Sequence, residues 1–252
     1  MSPEKILVIP DVHIPYHDKK AWKLMLRTMK EFKPRHVVIL GDFADFYDVS
    51  SHSKSPERRF KLDEEINQVK DALDDVALLG ASNQVFIAGN HEYRLTRYLE
   101  SAAPELHNII SIPKILELEK KKFKYVPYKE SYKLGKMNFT HDIGSAGRYA
   151  HYKAADTFHQ NIVIGHVHRM GYAVEGNAEG ERHVSASFGW LGDAKAADYM
   201  HKVKINRDWC LGFGIGYLDT PTGCVYLTPV PIINHKNKSY SCLIEGKLYK
   251  EK

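Results

Sequence analysis

HVVILGDFAD, residues 36–45, decides how the rest of the chain is read. Val37 to Leu40 form an unbroken apolar run that stops at Gly41, and two carboxylates, Asp42 and Asp45, follow at once. A short, β-branched run ending abruptly at a turn residue is the pattern of a strand buried on both faces. Two carboxylates crowded at its end repel each other unless something cationic lies beside them.

The pattern recurs along the chain. KILVIPDVH (5–13), QVFIAGNHE (84–92), KMNFTHD (136–142) and NIVIGHVH (161–168) are further apolar runs that end in polar clusters. Helical patterns lie between the first three runs. Asp18 is placed to cap a helix over 19–33, where Ala21, Met25, Thr28, Met29 and Phe32 share a face and Pro34 ends it. Leu62, Ile66, Val69, Leu73 and Val76 form a second apolar stripe, with acidic residues in its first turn and Gly80 closing it. Alternation of strand and helix predicts parallel βαβ units. From 183 onward the text becomes short β-rich runs between turn residues, such as FGIGYLDT and GCVYLTPVPII, which predicts antiparallel strands. The expectation is a single α/β domain over 1–252. Its motif-bearing part is 5–168, and the β-rich part 183–252 completes a second sheet. GFGIG (212–216) lacks the G-x-G-x-x-G spacing and no helix follows it, so its glycines read as a tightly packed strand.

Composition narrows the classes. The 252 residues are 43% hydrophobic and 27% charged, enough for one sizeable core. Mean hydropathy is −0.41, and no apolar run approaches the roughly 18–20 residues that cross a bilayer. The N-terminus lacks the apolar region and cleavage site of a signal peptide. Three cysteines, Cys210, Cys224 and Cys242, form no disulfide framework, so a cytoplasmic setting without membrane contact is expected. A net charge of +5 and a pI near 8.9 lean mildly toward polyanionic partners.

The polar clusters carry the chemistry. The carboxyl ends of parallel strands form one edge, where ligands bind. Asp11 and His13, Asp42 and Asp45, Asn90 and His91, His141, and His166 with His168 would all gather there. Carboxylate, imidazole and amide oxygen together are a ligand set for Mn²⁺, Fe²⁺ or Zn²⁺. Each cluster alone has an ordinary explanation in a turn or a satisfied core histidine; the ordered set does not.

DxH…GDxxD…GNHE…H…GHxH resembles the calcineurin-like metallophosphoesterase superfamily, and its compact GHVH is closer to the nuclease and phosphodiesterase branch than to Ser/Thr protein phosphatases. That resemblance implies a four-layer α/β/β/α sandwich of two packed mixed sheets flanked by helices, with a dinuclear metal site at the strand C-terminal edge. It implies two divalent ions, Mn²⁺ foremost and Fe or Zn as alternatives. Asp11, His13, Asp42 and His168 would hold one ion; Asp42, Asn90, His141 and His166 would hold the other. His91 would be the general acid, oriented by Asp45. The implied reaction is in-line attack by a metal-bridging hydroxide, with His91 protonating the leaving oxygen.

The ester is less sharply written. Protein phosphatases of the superfamily carry an arginine directly after the second aspartate of GDxxD; here Phe46 follows Asp45. A phosphodiesterase or nuclease acting on DNA, RNA or nucleotides is therefore the first expectation. A phosphomonoesterase for a small metabolite, nucleotide or phosphoprotein is the alternative, and a catalytically silent scaffold a remote one. Arg94 and Arg148 are the candidate substrate contacts, with Arg97, Arg58 and Arg59 reading as solvated surface and Tyr149 and Tyr152 placed to stack on a base. The basic, aromatic stretch 119–136 reads either as a nucleic-acid surface or as a hairpin whose lysines guard a sheet edge. Trp190, Tyr199 and Trp209 read as core or wall. A nuclease of this size would be a minimal one, or would rely on a homodimer or a protein partner.

Overall fold

The computed structural model describes residues 2–51, 60–107, 109–176, 178–196 and 208–251. In chain order the elements begin β1 (Glu4–Ile9), α1 (Lys19–Phe32), β2 (His36–Ile39), α2 (Leu62–Ala77), β3 (Asn83–Ile87), α3 (Glu92–Ala102) and α4 (Ile112–Ile115). Next come β4 (Phe123–Val126), β5 (Tyr132–Leu134), β6 (Met137–Thr140), α5 (Ala150–Phe158), β7 (Ile162–Ile164), β8 (Met170–Gly176) and β9 (Arg182–Phe188). The last five are β10 (Gly212–Asp219), β11 (Cys224–Pro231), β12 (Ile233–Asn234), β13 (Tyr240–Ile244) and β14 (Lys247–Glu251).

Local sequence accounts for the first helices. Asp18 Oδ1 accepts the N–H groups of Lys20 and Ala21, both at 3.0 Å, and so satisfies two donors that the first turn of α1 leaves open. Lys33, left-handed at φ 56°, ends the helix ahead of Pro34. In α2 the last helical residue is Ala77, and Gly80 at φ 74° turns the chain into β3.

Strand order in the first sheet is β11-β10-β1-β2-β3-β4, with β1 to β4 parallel. The second sheet runs β5-β6-β7-β9-β8, with β6, β7 and β9 parallel. Alternation along each strand builds the layers. Ile6, Val8, Val38 and Leu40 face Phe139, Val163 and Phe188 of the second sheet, forming one core between the sheets. Leu7, Ile9, Val37 and Ile39 face the other way, onto Leu24 and Met25 of α1 and Leu73 of α2. On the far side Ala150 and Ala154 of α5 cover Ile162 and Ile164. The result is the α/β/β/α sandwich that the sequence motifs implied.

One expectation is corrected. The β-rich part 183–252 does not simply complete the second sheet, because its strands divide among three sheets. Only β9 joins the second. The β10–β11 hairpin pairs antiparallel with β1 and covers what would be an exposed edge of the first sheet. The strands β12, β13 and β14 form a small sheet of their own against α1. Arg27 Nη1 and Lys23 Nζ hold Glu251 at 2.9 and 3.0 Å there, and the Tyr240 hydroxyl donates to Asp18 Oδ2 at 2.6 Å. The stretch 119–136 is likewise not one hairpin. Its two strands, β4 and β5, lie at the edges of different large sheets. Lysines do stand on those edges, and Lys124 sits 5.3 Å above the Tyr132 ring.

Candidate active site

The sandwich brings both parallel sheets to one edge, and the polar clusters meet there. Asp11, His13, Asp42 and His168 present ligand atoms that all lie within 4.8 Å of one another, and Asp42, His141 and His166 do the same. Asn90 belongs with the second group: its Oδ1 is 3.0 Å from His141 Nε2 and 2.9 Å from His166 Nδ1. Asp42 stands in both. Strands of the first sheet supply the carboxylates and the amide, and β6 and β7 of the second supply His141, His166 and His168.

This donor set fits divalent cations. His141 Nδ1–H donates to the Leu40 carbonyl at 2.8 Å, which turns Nε2 toward two acceptors, Asn90 Oδ1 at 3.0 Å and Asp42 Oδ2 at 3.3 Å. A lone pair facing two oxygens is tolerable only with a positive charge among them. Burial alone would disfavour the imidazolium, yet the Asp42 carboxylate outweighs it and pushes the His141 pKa up to about 10. A position that grips a proton so firmly is one that a bound cation satisfies in its place. In the first group, His13 Nε2 and His168 Nε2 lie 2.9 Å apart, and His13 Nδ1 is 3.3 Å from Asp45 Oδ2. Hydrogen bonding of the outer nitrogen is what orients a metal-ligating histidine. Asp45 therefore serves His13 as well as His91.

The backbone is bent to fit. His13, Asp42, His166 and His168 all have positive φ, between 47° and 68°, where non-glycine residues carry roughly 1–3 kcal/mol of strain each. These candidate ligands hold turns that local preference would give to glycine. At Gly89 a methyl group would overlap the Asp42 carboxylate, and at Gly41 it would overlap the His141 ring. Both glycines permit close approach.

Glu92, at the start of α3, is a site residue whose importance the motif reading missed. Fully buried, it accepts N–H bonds from Asp42 at 2.9 Å, Ala44 at 2.8 Å and Gly89 at 2.7 Å. It thus ties the loop after β2 to the loop after β3. The available signal was its spacing from Gly89, the three-residue reach-back of an acidic side chain at a helix start.

His91 lies beside the shared carboxylate. Its N–H donates to Asp42 Oδ1 at 2.8 Å, its Nδ1–H to the Asp45 carbonyl at 3.0 Å, and its Nε2 is 3.7 Å from Asp42 Oδ2. Burial lowers its pKa, but the charges of Asp42 and Asp45 prevail and the net direction is upward. Arg94 is in this cluster: Nη1 donates to the Asp45 carbonyl at 2.8 Å and to Oδ1 at 3.2 Å, and Nη2 lies 2.9 Å from His91 Nε2. Asp45, buried against burial's own upward push, is held far below the usual carboxylate range by His91 and His13.

Arg148 stays at the surface, 3.7 Å from Asp208, which also accepts from Arg169 Nε at 2.8 Å. Arg97 donates to Ser51 Oγ at 3.0 Å in solvent. Tyr149 and Tyr152 are exposed and pack on each other. Trp190 is stacked on His168, and Trp209 meets both rings. Arg58, Arg59 and Tyr199 lie outside the described residues.

A family model for calcineurin-like phosphoesterases matches residues 4–217, and the chain belongs to that family. It is accordingly a metal-dependent phosphoester hydrolase. Two mycobacteriophage proteins are similar to it. The gene 54 protein of Mycobacterium phage L5 is 26% identical over 232 residues, 86% of this chain and 89% of that protein. Its counterpart in Mycobacterium phage D29 is 26% identical over 234 residues, with the same coverage. Among solved structures, Vps29 of Chaetomium thermophilum superposes with a TM-score of 0.51 at 12% identity, covering 99% of this chain and 100% of that one. This is a likeness of fold. Among the described residues, no helix is long and apolar enough to cross a membrane.

Proposed function

We propose that the protein is a dinuclear, Mn²⁺-dependent phosphodiesterase acting on nucleic acid or nucleotides. Asp11, His13, Asp42 and His168 would hold one ion, and Asp42, Asn90, His141 and His166 the other. When bound, such ions polarise phosphate oxygens and lower the pKa of a coordinated water from 15.7 toward roughly 7.

The chain's own contribution centres on His91. Its Nδ1–H is fixed on Asp45, so Nε2 is the atom that faces the substrate. As arranged, Arg94 Nη2 donates to that same nitrogen. In that arrangement Nε2 carries a lone pair, so His91 acts as the acid only after Arg94 withdraws and Nε2 takes up a proton from solvent, which it then passes to the leaving oxygen. An arriving phosphate is the natural acceptor for the freed guanidinium. Asp45, touched by both groups, keeps the imidazole aimed throughout.

The observation that carries the diester reading is Phe46. The position after Asp45, where an arginine would grip a dianionic monoester, is filled by a fully buried phenylalanine, whose backbone N–H donates to Glu65. The guanidinium that is in the site, Arg94, pairs with Asp45 before substrate arrives. A monoanionic diester needs less positive charge than a monoester dianion. Arg94 also supports a second reading, a phosphomonoesterase, because its side chain is inside the site rather than on the surface.

The test is the initial rate of the Mn²⁺-loaded protein on bis-p-nitrophenyl phosphate against p-nitrophenyl phosphate, with Asp42→Asn as control. A clear diester preference is expected; a clear monoester preference overturns the proposal.

A further inference from the structure

Two aromatic surfaces that the reaction above does not use stand against the two ligand groups. At the first group, Trp190 is stacked on the His168 ring, with centroids 4.8 Å apart and planes 15° apart, and is itself buried. Trp209 meets that pair edge-on, 4.3 Å from His168 and 4.8 Å from Trp190, and remains half-exposed. Trp190 is a fixed backing; Trp209 offers indole surface to solvent beside a ligand histidine.

At the second group, the Tyr128 ring lies 6.4 Å from His141, and its hydroxyl donates to Asp142 Oδ2 at 2.7 Å, which fixes it. Tyr93, 37% exposed, packs on Tyr128 at 5.3 Å with planes 32° apart. Cations stand beside both surfaces. Lys129 Nζ is 5.6 Å from the Tyr128 ring centre, and Arg169 and Arg148 converge on Asp208, the residue before Trp209.

Aromatic faces interleaved with cations are the means by which proteins hold single nucleotides, the ring stacking on a base and the cation meeting a neighbouring phosphate. A monoester needs one such surface at most. Two surfaces, one against each ligand group, match a diester with a flat heterocycle on each ester arm. Resting on the phosphodiesterase reading, we propose that Trp209 and the Tyr93–Tyr128 pair are nucleobase subsites on the two sides of the scissile phosphate, so that the substrate is an oligonucleotide.

The experiment uses thymidylyl-thymidine and two analogues in which a tetrahydrofuran replaces the base on the 5′ or the 3′ side. For the Mn²⁺-loaded full chain, kcat/KM is measured on all three, and each variant is judged by its own ratios, which cancels any general loss of metal or stability. The wild type is expected to favour the complete dinucleotide over each analogue by about five- to a hundredfold. Trp209→Ala should abolish the preference on one side only, Tyr93→Ala should abolish it on the other, and Trp209→Phe should restore most of what Trp209→Ala loses. Unchanged ratios in both alanine variants overturn the proposal. So does hydrolysis of bis-p-nitrophenyl phosphate with none of the dinucleotides, an outcome that leaves the phosphodiesterase reading standing. Activity on p-nitrophenyl phosphate with none on any diester sinks both.

Discussion

Asp42 and His91 are one hydrogen bond apart and are assigned different work, so they should fail differently. Asp42 belongs to both proposed ligand groups, so its loss affects both. Asp42→Asn is expected to lose at least one bound ion, read by elemental analysis of the purified protein, together with nearly all activity. His91 offers its Nε2 to the substrate side, and His91→Asn should keep its metal while turnover falls by about 10²–10⁴-fold. Stoichiometric loss of metal from the His91 variant would make it a ligand and remove it as the acid. Glu65 gives a pH prediction away from the ions. Burial, with the charges of Asp45 and Asp48, pushes its carboxyl well above the ordinary 4.5. The folded state then holds a proton that the unfolded chain releases, so stability falls as pH rises from the unfolded pKa toward the folded one. Glu65→Gln removes that slope. Urea denaturation at about pH 5 and about pH 8 should show the wild type losing stability relative to the variant as pH rises. An equal difference at both values would mean that Glu65 ionises normally.

At the scale of elements, β10 shows what pattern reading can and cannot reach. Its glycines were legible as a packed strand rather than a dinucleotide loop, because the spacing was wrong and no helix followed. Their partner was not legible. A methyl group at Gly214 would fall among the carbons of the Phe188 ring, which reaches across from β9 in the other sheet. Gly214→Val should therefore destabilise by about 1–3 kcal/mol through overpacking, read in urea, with metal stoichiometry unaltered. The same limit explains the misassigned C-terminal strands. Alternation and turn residues mark a strand and say nothing of which edge receives it; the open side of β1 decided that. The residues of the candidate metal cluster were readable for the opposite reason. Coordination chemistry demands particular side chains, and these must be spelled out in the sequence at strand ends. Glu92 announces its bond to Gly89, three residues back, but not its reach to the loop after β2, and nothing local marks the packing of Trp209 on His168.

At the scale of the whole molecule, the candidate metal centre lies across the joint between the two sheets. Asp11, Asp42 and Asn90 follow strands of the first sheet, and His141, His166 and His168 follow strands of the second. Even without an ion, the two halves touch through these groups: His166 N–H donates to Asp11 Oδ1 at 2.9 Å, and His141 meets Asp42 at 3.3 Å. The unfolded chain cannot assemble donors drawn from residues 11 to 168, so cation binding should be linked to global folding rather than to one loop. With free Mn²⁺ at 100 times its Kd, the linkage adds about 2.7 kcal/mol. In a chain of this length each kcal/mol raises Tm by about 2–4 °C, so a rise of about 5–10 °C is expected, reversed by a chelator. Asp42→Asn should show a much smaller rise at the same Mn²⁺ concentration. If the wild type binds Mn²⁺ stoichiometrically and its Tm does not move, the ions are not fastening the two sheets, and the bridging position given to Asp42 is wrong.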